Sequence, residues 1–272
     1  MRKNKKFIVI FVIILVLATA LYIINKNSKL VEAPTVVNNP KDNSLVMAGS
    51  FETKTIPLDE VYTKFDVKYP SFKNADKNFN LQIENLLKTE IQSFKTDSAA
   101  NWQARFDTQA AGENIKKVPA NADKFTFASD FVIVQSNANY ISFVLHYGGF
   151  NGGAHGFENV ISYNYNVKSQ KKVELGSLFS KGSNYLNTLS TKSRAYLKNK
   201  FAIVTEEDKK NSDPVALKEY IDNATSMIND GTESKIENFS VFTFTPDKIK
   251  IYFADYQVGP HAIGMPEFEF DR

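Results

Sequence analysis

The chain has 272 residues, 43% hydrophobic and 13% aromatic, with 22 Phe and no Cys. The missing cysteine excludes disulfides, thiolate metal sites, Cys nucleophiles and a Cys-linked lipid anchor. The formal charge of +3 sits in the N-terminal tip: beyond Arg2, Lys3, Lys5 and Lys6 the chain holds 29 basic against 30 acidic residues, and so neutral a body has no electrostatic footprint for nucleic acid.

Phe7 to Ile24 reads FIVIFVIILVLATALYII without a charge. As a helix it spans about 27 Å, close to a hydrocarbon core of about 30 Å. The preceding cations keep the N-terminus in the cytoplasm. Residues 1–6 are then a cytoplasmic tip too short to fold, and 7–24 a single-pass transmembrane anchor or signal segment. The rest is expected outside a bacterial cytoplasmic membrane, since an exported chain without cysteine points to a bacterial surface. Ala18-Thr19-Ala20 also fits a cleavage pattern that would make the body secreted, but Leu21 to Ile24 carry the apolar run past it.

Residues 25–50, rich in Asn, Lys, Pro, Ser and Val, are expected to form a flexible linker. A first subdomain over 51–150 and a second over 151–272 follow. Val61 to Tyr69 alternates as a strand ended by Pro70. Asn74 or Asp76 caps the next helix, whose Phe79, Ile83, Leu86, Leu87, Ile91 and Phe94 share one face. This helix continues or restarts past Trp102. Phe125–Gln135 and Tyr140–Tyr147 read as antiparallel strands joined by a turn at 136–139. Val160–Val167 is a half-buried strand, and Lys172–Leu175 returns after a polar turn. Tyr185–Phe201 and Pro214–Asn229 are helices, the second capped by Ser212 or Asp213 and followed by Gly231. Asn238–Thr245 and Lys248–Tyr256 make a hairpin through Pro246-Asp247, and Phe268 and Phe270 lie in a last strand. Helices interrupting a mostly antiparallel sheet give an α+β class.

The chemistry-bearing residues gather in two glycine loops. In His146-Tyr147-Gly148-Gly149-Phe150-Asn151-Gly152-Gly153-Ala154-His155-Gly156, glycine admits positive φ and close backbone approach. His155 then either lines a ligand cleft or satisfies loop carbonyls. His261 lies in Gly259-Pro260-His261-Ala262-Ile263-Gly264, just after Asp255 and Tyr256. His146 is expected to be a sheet residue. If the loops meet, His155, His261 and Asp255 make an acceptable zinc set, but no metal-ligand spacing occurs and no metal or other cofactor is expected. No nucleophile elbow or phosphate loop appears either, so no catalytic residue is assigned. The candidate ligand-binding residues are Tyr147, Gly152, Gly153, His155, Tyr256 and His261. Tyr147, Tyr163, Tyr165 and Tyr256 either stack on a sugar or pack in the sheet.

These loops, together with Tyr163-Asn164-Tyr165-Asn166-Val167, Leu175-Gly176-Ser177-Leu178-Phe179 and Phe244-Thr245-Pro246-Asp247, resemble the extracytoplasmic domains found in the anti-sigma factor RsiV and before the catalytic domain of the peptidoglycan deacetylase PdaC. The resemblance runs from about Ile56 to Arg272. Only six residues precede the apolar segment and the sequence ends at Arg272, so neither the anti-sigma role nor the deacetylase activity is expected to transfer. What the resemblance implies is a membrane-anchored, non-catalytic module that recognises lysozyme or peptidoglycan. The alternative is a wall-active hydrolase or deacetylase-like enzyme using His155 and His261.

Overall fold

The computed structural model describes residues 45–58, 60–107, 124–201, 210 and 212–272. The expected tip, anchor and most of the linker lie outside the described residues. Among the described residues no helix is long and apolar enough to cross a membrane.

The first layer follows from residue alternation. Strands β1 (Phe51–Thr55), β2 (Thr63–Phe72), β3 (Phe125–Ser136), β4 (Tyr140–Phe150), β5 (Phe157–Asn166) and β6 (Lys171–Lys172) form one sheet in sequence order. Only β2 and β3 pair in parallel, because helix α1 (Lys77–Asp107) lies between them in the chain; a parallel pair needs such a crossover. The sheet runs unbroken across residue 150 through the β4–β5 pairing. Along β4, Ile141, Phe143, Leu145 and Tyr147 face α1, where they meet Phe79, Ile83, Leu87, Ile91 and Phe94. These are the positions that helical spacing puts on one face. The helix is continuous, and Trp102 closes its far end against Tyr62 and Phe125, with ring centroids 5.4 and 5.3 Å away.

The opposite face of β4 carries Ser142 and Val144, and it meets a second layer. Helices α2 (Tyr185–Phe201) and α3 (Pro214–Gly231) cover an antiparallel sheet of β7 (Phe242–Phe244), β8 (Lys248–Tyr252) and β9 (Glu267–Asp271). Leu189, Leu197, Ile228, Ile249, Ile251 and Phe253 are fully or almost fully buried there. Val144, Val160 and Tyr252 fill the space between the two sheets. The class is α+β, as the periodicities predict.

Pairing explains several departures from the expected elements. β1 was not anticipated; it is a short edge strand whose Glu52 and Lys54 make the charged edge that discourages further pairing. Residues 45–50 of the expected linker lie against the sheet, with Val46 bridged to Ser136. Pro70 does not end β2. Lys68 N–H donates to Ser129 Oγ at 3.2 Å, so alternation turns the Pro70 nitrogen toward β3, beyond the last β3 partner of β2 at Val67. No ladder bond is lost there, which is where a strand tolerates proline. Two residues on, the Asn80 side chain replaces the missing strand: its Oδ1 accepts from Phe72 N–H at 2.8 Å and its Nδ2 donates to Phe72 O at 2.9 Å. The strand expected over 172–175 stops at Lys172, because Val173 and Leu175 turn into the second core; a 3-10 turn follows at Leu175–Leu178. The hairpin is shorter than expected, with a 3-10 turn at Ile236–Phe239 before it.

Both capping choices resolve to aspartate. Asp213 Oδ1 accepts from Val215 and Ala216 N–H. Asp76 Oδ1 accepts from Phe79 N–H at 2.9 Å, and its Oδ2 accepts from the Tyr165 hydroxyl, tying the start of α1 to β5. The Tyr165 bond, then the Phe79 amide, hold the Asp76 carboxyl below its ordinary range. Burial, then the Asp76 bond, push Tyr165 up. A depressed carboxyl stabilises the fold above its unfolded pKa, and that stability is lost as pH falls through the folded value. The raised Tyr165 contributes below the ordinary tyrosine pKa of about 10 and is lost as pH rises. Asp76→Asn is therefore expected to destabilise most at neutral pH, and the gap to wild type should begin to narrow below about pH 4, where the unfolded-state carboxyl protonates. Urea unfolding at pH 7 and pH 3.5 measures it; a gap unchanged between the two would refute the linkage.

Candidate functional site

The two glycine loops meet. Loop 151–156 follows β4, and its position is fixed by Asn101 of α1, whose Nδ2 donates to Asn151 O at 2.9 Å. At Gly152 the backbone takes φ +95°, and a Cβ there would stand 3.2 Å from the Phe125 ring. Gly148 and Gly149, expected in the loop, belong to β4. Loop 253–264 is held from its other side. Gln257 Nε2 donates to Gly231 O and Asn238 O, both at 3.0 Å, and its Oε1 accepts from Ala254 N–H. The loop lies so close to α3 that a Cβ on Gly231 would be 2.0 Å from Gln257 O. Glycine is needed there for proximity, and Gly231 is the last residue of α3 rather than the first beyond it.

Between these supports the side chains form one cluster. The rings of His155 and His261 stack with centroids 4.2 Å apart and planes 22° apart. Tyr256 lies 5.8 Å from His261 at 25°, and its hydroxyl reaches His155 Nε2 at 3.2 Å. His155 Nδ1 is 2.6 Å from Gly156 O, so Nδ1 carries the proton and Nε2 accepts from the tyrosine. His261 Nδ1 donates to Asp255 Oδ2 at 2.7 Å. Asp255 is 15% exposed and His261 38%, so the carboxylate is the recessed partner that orients the ring. Asp255 Oδ1 is buried without a hydrogen-bond partner. Tyr256 has φ +62°, a conformation that costs a side-chain-bearing residue about 1 kcal/mol. The same twist turns its ring outward, 51% exposed. Phe150 and Phe157 at the flanks of the first loop are also exposed.

Of the residues anticipated from sequence, His155, Tyr256 and His261 come together, with Gly152 and Gly153 in the supporting loop. Tyr147 does not join them. It is buried under α1 beside Phe127, and burial raises its pKa; alternation along β4 sends it to the core face. Tyr163 and Tyr165 are core residues as well. Tyr163 stacks on Phe143 at 5.0 Å and burial pushes it up to about 12; Tyr165 packs on Phe79. His146 stays on β4, where its Nδ1 is 3.6 Å from Glu158. Asp255, weighed from sequence only as a metal ligand, is the residue that orients His261.

The arrangement does not suit a shared metal ion. Ring nitrogens point their lone pairs in the ring plane, so two stacked rings cannot aim both at one centre, and both Nδ1 atoms are occupied. Among the described residues no group of three or more His, Asp or Glu is placed to hold a metal ion. What the cluster offers is a half-exposed aromatic and imidazole surface, with His261 Nε2 free of protein partners among the described residues.

Two family models match separate parts of the chain. Residues 56–158 match the family described as Deacetylase PdaC, and residues 176–272 match the protein family of unknown function DUF3298. A relative, the peptidoglycan-N-acetylmuramic acid deacetylase PdaC of Bacillus subtilis, is 26% identical over 230 residues, covering 85% of this chain and 41% of that protein. The chain thus spans less than half the length of that curated relative. Among solved structures, a DUF3298 member from Bacteroides fragilis has a TM-score of 0.48 at 16% identity, covering 82% of this chain and 91% of the other. A DUF3298 protein from Pseudomonas aeruginosa gives 0.44 at 13% identity, with 81% and 88% covered. From Ile56 to Arg272 the chain therefore resembles a PdaC-associated domain followed by a DUF3298 domain.

Proposed function

We propose that this chain is a non-catalytic binding module of the bacterial cell envelope, held at the membrane by residues 7–24, that recognises lysozyme or peptidoglycan through the His155–Tyr256–His261 surface. One observation carries the assignment: Tyr256 is kept at positive φ and half exposed, with its hydroxyl on His155. Strain of this kind on a non-glycine residue is characteristic of ligand-contacting positions, and exposed tyrosines favour interfaces where one side is apolar and the other wet. The match to PdaC, a deacetylase of peptidoglycan, supports an envelope setting.

The test is surface plasmon resonance of the full chain in detergent against lysozyme, and co-sedimentation with purified peptidoglycan. Saturable binding to one of them is expected, weakened at least tenfold by Tyr256→Ala or by the His155→Ala, His261→Ala pair, about 1.4 kcal/mol or more. Tyr256→Ala is expected to keep the wild-type melting temperature within roughly 2–4 °C, since that side chain is half exposed. Binding to neither partner would refute the assignment. A second activity is favoured by the Asp255–His261 pair, which presents an oriented imidazole with a free Nε2, the geometry of a general base. Acetate or reducing sugar released from peptidoglycan, and abolished by His261→Ala, would establish catalysis in place of binding alone.

A further inference from the structure

A second site lies where the β5–β6 turn, the 3-10 turn at 175–178 and the β7–β8 hairpin converge. They enclose a groove of about 630 Å³, within the roughly 300–1,000 Å³ of small-molecule sites. Its lining holds Lys171, Lys172 and Arg272 and no Asp or Glu side chain. Lys172 is paired with Glu174 at 3.3 Å; Lys171 and Arg272 have no acidic partner among the described residues. Arg272 is nonetheless fixed in place. Its guanidinium donates to Thr245 O at 3.2 Å, Pro246 O at 3.3 Å and Leu178 O at 3.0 Å. Three neutral carbonyls orient the fork without cancelling its charge, and two of its five N–H groups remain. The other wall is polar and aromatic: Asn166, Ser169 and Ser177 beside Tyr140, whose ring is held edge-on against Phe244 at 5.4 Å.

We propose that this groove binds an oxyanion-bearing saccharide or polyol. The oxyanion meets Arg272 and Lys171, hydroxyls meet Asn166, Ser169 and Ser177, and a sugar face lies on Tyr140. A pre-oriented guanidinium without an Asp or Glu partner is the group that best matches a carboxylate or phosphate. None of these residues belongs to the His155–His261 cluster, so the site stands or falls apart from the function proposed above.

Calorimetric titration of the full chain in detergent tests it with three probes. These are the disaccharide of N-acetylglucosamine and N-acetylmuramic acid with its free carboxylate, glycerol 3-phosphate, and chitobiose as the uncharged control. At least one anionic probe is expected to bind, with chitobiose at least tenfold weaker. Which anionic probe binds identifies the source as carboxylate or phosphate. Arg272→Gln and Lys171→Glu are each expected to weaken binding about tenfold, the scale of one charged hydrogen bond, and added salt should weaken it too. The Lys171 side chain is exposed and has no ion-pair partner among the described residues, so its variant remains decisive even if Arg272→Gln loosens the hairpin. No binding by either anionic probe, equal binding of chitobiose, or indifference to Lys171→Glu would overturn the site.

Discussion

Gly148→Ala is expected to lower stability by about 3 kcal/mol or more, while Gly153→Ala, five residues on, stays within about 0.5 kcal/mol of wild type. A Cβ on Gly148 would stand 2.2 Å from Phe157 O and 3.0 Å from Glu158 Cα. Both atoms are backbone of β5, held by pairing of β4 with β5 from Tyr140↔Asn166 to Gly149↔Phe157. They cannot retreat without opening that ladder next to the first glycine loop. A Cβ on Gly153 meets nothing nearer than 3.6 Å, and its φ is not in the left-handed region. The contrast separates glycine needed for proximity from glycine that merely sits in a loop. Thermal melting followed by circular dichroism should place the Gly148→Ala midpoint roughly 6–12 °C below wild type. A loss under about 1 kcal/mol would show that the two strands adjust more freely than close packing allows.

Asn164→Leu should lose about 3 kcal/mol, although it swaps one buried side chain for another of similar size. The reason lies in how β7 is seated on the first sheet. Asn164 Nδ2 donates to Phe242 O at 2.7 Å, and Gln135 Nε2 donates to Phe244 O at 2.7 Å. Phe242 N–H donates to Ser162 Oγ and Phe244 N–H to Ser142 Oγ, both at 3.0 Å. The Ser142 hydroxyl in turn donates to Asn164 Oδ1 at 2.6 Å. Four side chains thus stand in for a strand along the edge of β7 that faces away from β8. Leucine would leave Phe242 O without its donor and the Ser142 O–H without its acceptor in the interior, at about 1–3 kcal/mol each, although Ser142 Oγ still accepts from Phe244 N–H. Because the groups form one network, Ser142→Ala combined with Asn164→Leu should cost less than the two single changes added. Urea unfolding of the three variants measures this; strict additivity would show that Ser142 and Asn164 act independently.

That network also marks the boundary of what could be read without coordinates. The six apolar positions of α1 lie at spacings of three and four, and helical periodicity alone puts them on one face. The alternation of β3, β4 and β5, the aspartate before Pro214 and the turn at Pro246-Asp247 are equally local, and each element formed where those rules place it. Ser142, Ser162 and Asn164, by contrast, alternate with large apolar residues and look like the solvent side of a half-exposed sheet. Nothing local says that a second sheet covers them, because their partners are 78 to 102 residues away.

The candidate site divides in the same way. Glycine and histidine in two loops were visible as a pattern, and His155, Tyr256 and His261 were legible as candidates. Residue order could not decide whether the loops touch, that Tyr147 points into the core, or that Asp255 holds His261. Those outcomes depend on strand register, which sends alternate residues to opposite faces, and on Gly231 and Gln257 drawing the second loop against α3. The basic groove is further from the sequence still, since Lys171 and Arg272 become neighbours only when β6 and β9 are carried to the same end of the fold. Composition and short-range periodicity determined the class of fold, the helices and most strands. Long-range backbone pairing and close glycine contacts decided which polar side chains meet.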